Sequence, residues 1–254
     1  MMQICAIIPV HRDAYIDKIV SMLMLSTVRH VILVADPGVV SEKNIFGVTL
    51  LESREGIDPR DVGLEYWHGH PEIYFNEPVI FLDDECIPQI ELPAAHLKIL
   101  SHPIPVISCG RILEEKYGWK DSREINASTS YLFSGSGALL QNNSMVKNGL
   151  AIFGSNMGMN HNAYLRLREL MQRYYGSSRI FIDGLTPCDS DAFLGYAAWG
   201  SRVFIQFIRR GDNAVKRVAM TQKDTYPDKL SAAVKDLGAK LVNQPLGLEF
   251  YESF

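Results

Sequence analysis

The sequence predicts a mixed α/β domain built on a mostly parallel sheet with helices on its faces. Three observations predict it. Apolar runs of strand length, such as "ICAIIPV" and "HVILVA", are continuous rather than alternating, which fits strands covered on both sides. In the first half they interleave with stretches of helical periodicity, the pattern of strand and crossover helix. The composition supplies a large core: 254 residues, 47% hydrophobic and 21% charged, with a formal net charge of -4.

Taken in order, "ICAIIPV" reads as a buried first strand. A helix follows in "DAYIDKIVSMLMLSTV", with Ile16, Ile19, Val20, Leu23 and Met24 at helical spacing and Asp13 as its expected N-cap. "HVILVADPG" is a second strand ending in a turn signal, and "GVTLLES" a third. "PRDVGLEYWHGH" is a helix with Pro59 at a first helical position. "PVIFL" is a fourth strand that runs into Asp83, Asp84 and Glu85. The second half predicts strands in "IPVISCGRIL", "STSYLFSGSGALLQ", "SSRIFIDG" and "SRVFIQFI". Helices are expected in "NAYLRLRELMQRYYG", stopped by Gly176, in "SDAFLGYAAWG" and in "DKLSAAVKDLG". There is no internal repeat, linker or low-complexity segment, and a single domain over 1–254 is expected. It divides into 1–88, 89–206 and a C-terminal extension (207–254), the first two of which the resemblance given below makes a nucleotide-binding half and an acceptor-side half.

Several classes are disfavoured. The mild acidity gives no general support for nucleic-acid binding. No apolar run approaches membrane-span length, and no basic leader precedes the first one, so a cytoplasmic protein is expected. Cys5, Cys86, Cys109 and Cys188 form no CxxC pair and read as reduced thiols. There is no GxxxxGK[ST] loop, GxGxxG turn, HExxH or GxSxG elbow. "HGH", His68 to His70, reads as a solvated helix end rather than a metal site.

Ligands of open α/β sheets bind beyond the carboxyl ends of the strands. At those ends the sequence places Pro9, His11 and Arg12, then Asp36, then Asp83, Asp84 and Glu85. Each alone reads equally well as a loop residue or helix cap, but one sheet edge would collect the set. If the acidic run stays extended, Asp83 and Glu85 face one way and Asp84 the other. Such a pair suits a hard divalent cation, Mg²⁺ or Mn²⁺, with substrate phosphates completing its shell. The ion would offset the repulsion among the acids.

In this order the segments resemble the GT-A glycosyltransferases, especially the family-two group that uses nucleotide sugars, over roughly residues 4 to 206. "AIIPVHR" is similar to their opening strand and turn, and "VILVADPG" to their second strand. "PRDVGLEY" resembles their Arg-Asn-x-Gly helix start, with Arg60 and Gly63 in place and Asp61 where Asn is usual. "VIFLDDECIP" resembles their metal-binding strand end. "SGSGALLQ", which contains Ser136, is similar to their acceptor-side segment. "DSDAFLGYAAWGSRVF" resembles their acidic segment opening a helix.

The resemblance implies a GT-A fold and transfer of a sugar from a nucleoside diphosphate sugar, a UDP-sugar first, to an acceptor hydroxyl with inversion. It implies that Pro9, His11, Arg12, Asp36, Arg60, Asp84 and Ser136 serve the donor, with Asp36 at the nucleoside and Asp84 near the ribose. Asp83 and Glu85 would flank Mn²⁺ or Mg²⁺. Asp189 would be the general base, with Asp191 the alternative. The chain departs from the pattern at Glu85, where Asp is usual, and at Cys188, where Glu is usual. It also has no His after His161, where many members carry a late metal ligand. A metal-dependent nucleotidyltransferase is the rival enzyme, although "PVHRDAY" lacks its glycines. A catalytically degenerate binding subunit is the non-enzymatic rival. The acceptor stays open among saccharide, lipid, protein, small molecule and modified-base DNA. "IRRGDNAVKR" is the one basic cluster that could meet a polyanion, and its "IRRGD", with Arg209 and Arg210, is read as a solvated turn or as charge for the diphosphate.

Overall fold

β1 (Ile4–Val10) is buried along its whole length, because it lies inside a sheet covered on both faces. In the computed structural model, which describes residues 3–40, 46–74, 77–114, 120–121, 155–182, 187–208, 214–218 and 236, two sheets are present. The larger contains β1, β2 (Val28–Ala35), β3 (Val48–Glu52), β4 (Val79–Leu82), β6 (Val106–Cys109), β9 (Asn156–Met159) and β10 (Phe204–Phe207), in the order β10-β6-β9-β4-β1-β2-β3. Its pairings are parallel except those of β9, which runs antiparallel to β4 and β6. The smaller sheet has the order β5-β11-β7-β8, from Cys86–Pro88, Ala214–Arg217, Arg111–Glu114 and Lys120–Asp121.

Strand alternation assigns the side chains to two apolar layers. Cys5 and Ile7 of β1, with Ile32, Val34, Val79 and Phe81, face α2 (Pro59–Gly69), α5 (His161–Tyr175) and α6 (Pro187–Gly200). Ile4, Ala6, Ile8 and Val10, with Val31, Leu33, Ile80 and Leu82, face α1 (Ile16–Met24) and α4 (Leu92–Leu100). Each such side chain, fully buried, contributes about 1.5–3 kcal/mol. Gly63 lets α2 lie close on β1: a Cβ there would stand 2.6 Å from Ile7 Cγ2. Gly176 ends α5 in the left-handed conformation, φ 64°, as its sequence position predicts.

Several sequence expectations are corrected. The N-cap of α1 is Tyr15, not Asp13, and no side chain caps it. "IPVISCGRIL" is two strands, β6 and β7, in different sheets. "SSRIFIDG" forms no strand in its described part, because the N–H groups of Ile180 and Phe181 donate to the buried Asp61 carboxylate at 3.0 and 2.9 Å instead of to a ladder. The "IRRGD" turn lies outside the described residues apart from Ile208, and the "AVKR" that follows it is β11, inserted between β5 and β7. The expected "STSYLFSGSGALLQ" strand lies outside the described residues, as does the "DKLSAAVKDLG" helix apart from Asp236. Among the described residues, no helix is long and apolar enough to cross a membrane. Cys5, Cys86 and Cys109 are buried.

Candidate active site at the carboxyl edge of the sheet

Parallel pairing brings the carboxyl ends of β1, β2 and β4 to one edge, with Val10 beside Ala35 and Ile7 beside Phe81. Antiparallel β9 begins at that edge, with Asn156 opposite Leu82. The polar residues after each strand therefore converge.

The acidic run does not stay extended. β4 stops at Leu82, and the Cys86 N–H donates to the Asp83 carbonyl at 3.0 Å, closing a turn at 83–86. The alternation that would have paired Asp83 with Glu85 does not hold there, because the chain has left the ladder. Each acid takes its own partner instead. Asp84, 6% exposed, accepts both the His11 and Arg12 backbone N–H groups on Oδ2, each at 2.8 Å. Glu85 pairs with the Arg12 guanidinium at 2.9 Å. Asp83 accepts a short hydrogen bond from the Ser155 hydroxyl. Asp84 thus fixes the turn after β1, and that turn aims Arg12 at Glu85.

Pro9 sits one residue inside β1, buried against β2. His11 reaches Asp36 by Nδ1 to Oδ2 at 2.8 Å, and Ser53 donates to the other Asp36 oxygen at 2.8 Å. The His11 hydrogen bond, with help from Ser53, holds the Asp36 carboxyl below its ordinary range.

Arg60 is the hub of the opposite wall. Asp58 caps α2 by accepting the Arg60 N–H at 2.9 Å. The same carboxylate takes the Arg60 fork at 3.0 and 2.7 Å. Arg60 also donates to Ser190 Oγ at 3.0 Å and reaches Asp191 Oδ1 at 3.5 Å, and its guanidinium stacks 3.9 Å from the Phe181 ring centroid. Burial would lower the Arg60 pKa, but Asp58 first, then Asp191 and Asp83, raise it. Burial pushes Asp58 up and Arg60 more than offsets this, leaving Asp58 lowered. The Asp83 field at Arg60 and the His11 field at Asp58 show the two walls to be electrostatic neighbours.

No protein-family model matches the chain, and no curated protein matches it. Solved structures do. S. aureus TarS 1–349 in complex with UDP-GlcNAc aligns with TM-score 0.60 at 15% identity, over 98% of this chain and 69% of that one. A longer S. aureus TarS structure gives 0.56 at 14% identity, over 98% of this chain and 41% of that one. A second TarS 1–349 structure gives 0.54 at 16% identity, over 99% and 73%. TarS is a GT-A glycosyltransferase. The fold of this chain is GT-A.

Within that fold the structure gathers His11, Arg12, Asp36, Asp83, Asp84 and Glu85 on one wall, and Arg60 with Asp191 on the other. Asp191 is 8% exposed near the start of α6. Asp189 lies in the first turn of the same helix, its side chain outside the described residues, and Ser136 lies wholly outside them. Among the described residues, no group of three His, Cys, Asp or Glu side chains is placed to hold a metal ion. Asp83 and Glu85 offer carboxylate oxygens of the right kind for a hard cation, but Glu85 already has the Arg12 guanidinium as its counter-charge. Sequence reasoning missed Asp58, Ser53, Ser155 and Ser190. Asp58 had a signal, since Asp before Pro59 is an N-cap and first-turn pair. The three serines had none, because their roles depend on which loops meet.

Proposed function

We propose that the protein is a glycosyltransferase that moves a sugar from a nucleoside diphosphate sugar, a UDP-sugar first, to an acceptor hydroxyl with inversion. The observation that carries this reading is the convergence of the β1, β2 and β4 loop ends with Arg60 and the start of α6, at the carboxyl edge of a GT-A sheet. A structural neighbour in complex with UDP-GlcNAc supports the donor class.

The nucleoside sits against Asp36, whose carboxylate is kept ionised and oriented by His11 and Ser53. Asp84 acts on the donor through the His11 and Arg12 turn that it holds. The acceptor oxygen attacks the anomeric carbon, the bond from that carbon to the diphosphate oxygen breaks, and the diphosphate leaves with the bonding pair. The acceptor proton passes to an aspartate at the start of α6, Asp189 or its alternative Asp191. General-base assistance of this kind is worth about a hundred- to ten-thousandfold. Arg12 supplies positive charge close to the leaving diphosphate. Mn²⁺ or Mg²⁺ held by Asp83 and Glu85 would neutralise further charge there, and Arg12 would release Glu85 to it.

The test is product analysis with a panel of nucleotide sugars, with and without Mn²⁺. Free sugar and nucleoside diphosphate support the proposal. Pyrophosphate release supports the nucleotidyltransferase. No product and no nucleotide binding support a binding subunit. Asp189→Asn should abolish transfer while keeping nucleotide binding; near-normal turnover in Asp189→Asn with loss in Asp191→Asn moves the base two residues.

A further inference from the structure

His68, in the last turn of α2, and His161, the first residue of α5, face one another with His161 Nε2 3.4 Å from His68 Nδ1. That distance is long for a hydrogen bond, whose N–H donors prefer about 2.9–3.0 Å to the acceptor. It equals the separation of two nitrogens bound tetrahedrally to one zinc ion: with metal–nitrogen bonds of about 2.0–2.1 Å, the ligands stand about 3.3–3.4 Å apart. The ring planes are held by aromatic neighbours. Trp67 meets His161 edge-on at 5.4 Å between centroids, and Tyr164 meets His68 edge-on at 5.2 Å. The two imidazoles come from different elements, so their meeting is a product of the tertiary fold and not of a helical repeat.

We propose that His68 and His161 form a two-imidazole site for a borderline transition-metal ion, Zn²⁺, Ni²⁺ or Cu²⁺, separate from the acidic turn at the sheet edge. Imidazole nitrogens select such ions over Mg²⁺ and Ca²⁺, which prefer oxygen. Each ring offers the nitrogen that faces its partner, and an imidazole ligates a metal in its neutral form. In the metal-free pair one facing nitrogen carries a proton; binding moves it to the far nitrogen of the same ring, so the neutral pair loses no proton. No third His, Cys, Asp or Glu joins the two among the described residues, so water or an external ligand fills the remaining positions. With ligands drawn from the described residues the site is open, not a closed structural one. Arg168, whose guanidinium lies 5.4 Å from the Tyr164 ring centroid, opposes the dication electrostatically and reduces affinity.

The experiment is titration of the full chain with Cu²⁺ and Zn²⁺ by calorimetry, paired with paramagnetic resonance of the Cu²⁺ complex. One equivalent should bind with hyperfine coupling from two imidazole nitrogens, distinct from any oxygen-ligated ion at the Asp83 and Glu85 turn. His68→Gln and His161→Gln should each weaken binding at least about tenfold and leave one coupled nitrogen. Arg168→Gln should strengthen this two-nitrogen binding, and Asp83→Asn should leave the two-nitrogen signal in place. An all-oxygen Cu²⁺ signal in the unaltered protein overturns the proposal without relying on any variant. So does binding that is lost in Asp83→Asn but retained in both histidine variants.

Discussion

Replacing Asp84 separates a residue that holds the β1 turn from one that merely lines the donor site. Its Oδ2 accepts two backbone N–H groups at 2.8 Å each, and the residue is 6% exposed. Hydrogen bonds to a charged group contribute about 1.5–3 kcal/mol apiece, so complete loss of both is worth about 3–6 kcal/mol. His11 is exposed and Arg12 half-buried, so water recovers part of this. Asp84→Ala should therefore cost about 3 kcal/mol, the low end of that range. For a chain of this size, this lowers Tm by roughly 6–12 °C. Asp84→Asn should cost only about 1–2 kcal/mol. Both N–H groups use one oxygen, which an amide carbonyl can replace, and only the charge assistance is lost. Urea unfolding measures the stability and calorimetric titration with UDP measures the binding. Asp84→Asn should keep nucleotide affinity within a few-fold, while Asp84→Ala should lose it with the turn. The reasoning is refuted if Asp84→Ala unfolds at the unaltered urea midpoint. It is equally refuted if Asp84→Asn abolishes UDP binding at full stability, which would make Asp84 a direct donor ligand.

Three further outcomes follow from the same geometry. Gly63→Ala should destabilise by about 1–2 kcal/mol, because crowding of Ile7 at 2.6 Å costs about 1–3 kcal/mol and outweighs a helix-propensity gain of up to about 1; a rise in Tm would contradict the close packing of α2 on β1. Arg60→Lys should weaken nucleotide-sugar turnover more than stability, since lysine keeps the charge but loses the fork to Asp58 and the stack on Phe181; unchanged kcat and KM would remove Arg60 from the site. His96 is fully buried between Ser108 and Asn156, at 2.7 and 2.9 Å, and burial lowers its pKa to about 4. The unfolded chain then binds more protons between about pH 4 and 6.5, so stability is full above the unfolded pKa and is lost as pH falls through that window, by on the order of a few kcal/mol. His96→Gln should flatten this part of the pH dependence of Tm, and an unchanged slope would place the acid sensitivity elsewhere.

What the sequence made legible was whatever local chemistry decides. β1, β4 and the Val31–Ala35 part of β2 are continuous apolar runs because both faces are buried there, and Pro59 and Gly176 mark helix ends by their own backbone preferences. Short elements that depend on neighbours were not legible. β9 is four residues, "NMGM", without a β-branched side chain, and it is a strand because it fills the gap between β4 and β6. β5 is three residues ending in Pro88, ordered by β11 from a distant part of the chain. At 180–181 the apolar pattern of a strand was present, but Asp61 accepts the N–H groups that a ladder would need. Asp61 is 2% exposed, and burial pushes its carboxyl up to about 8 despite those two donors. The candidate site was legible as residue types at strand ends, while the pairings within it were not.

Those pairings alter the meaning of the acidic turn. Three adjacent carboxylates call for an external cation if nothing else answers their charge, because desolvated like charges repel. Here the chain supplies three different answers: two backbone N–H groups for Asp84, a guanidinium for Glu85 and a hydroxyl for Asp83. Only the first of these is rigid, since two successive backbone N–H groups are held on one oxygen of a buried carboxylate. The Arg12 pair lies at the half-exposed end of the cluster, and ion pairs so placed contribute at most about 1 kcal/mol. Arg12 can therefore leave Glu85 at little cost when a diphosphate or a divalent ion arrives, whereas Asp84 cannot leave the β1 turn without dismantling it. The turn is built with one fixed carboxylate and two exchangeable ones. That division follows the donor each oxygen meets and not the alternation of the strand, so a longer Glu at 85 is accommodated by its arginine rather than by a change in strand geometry.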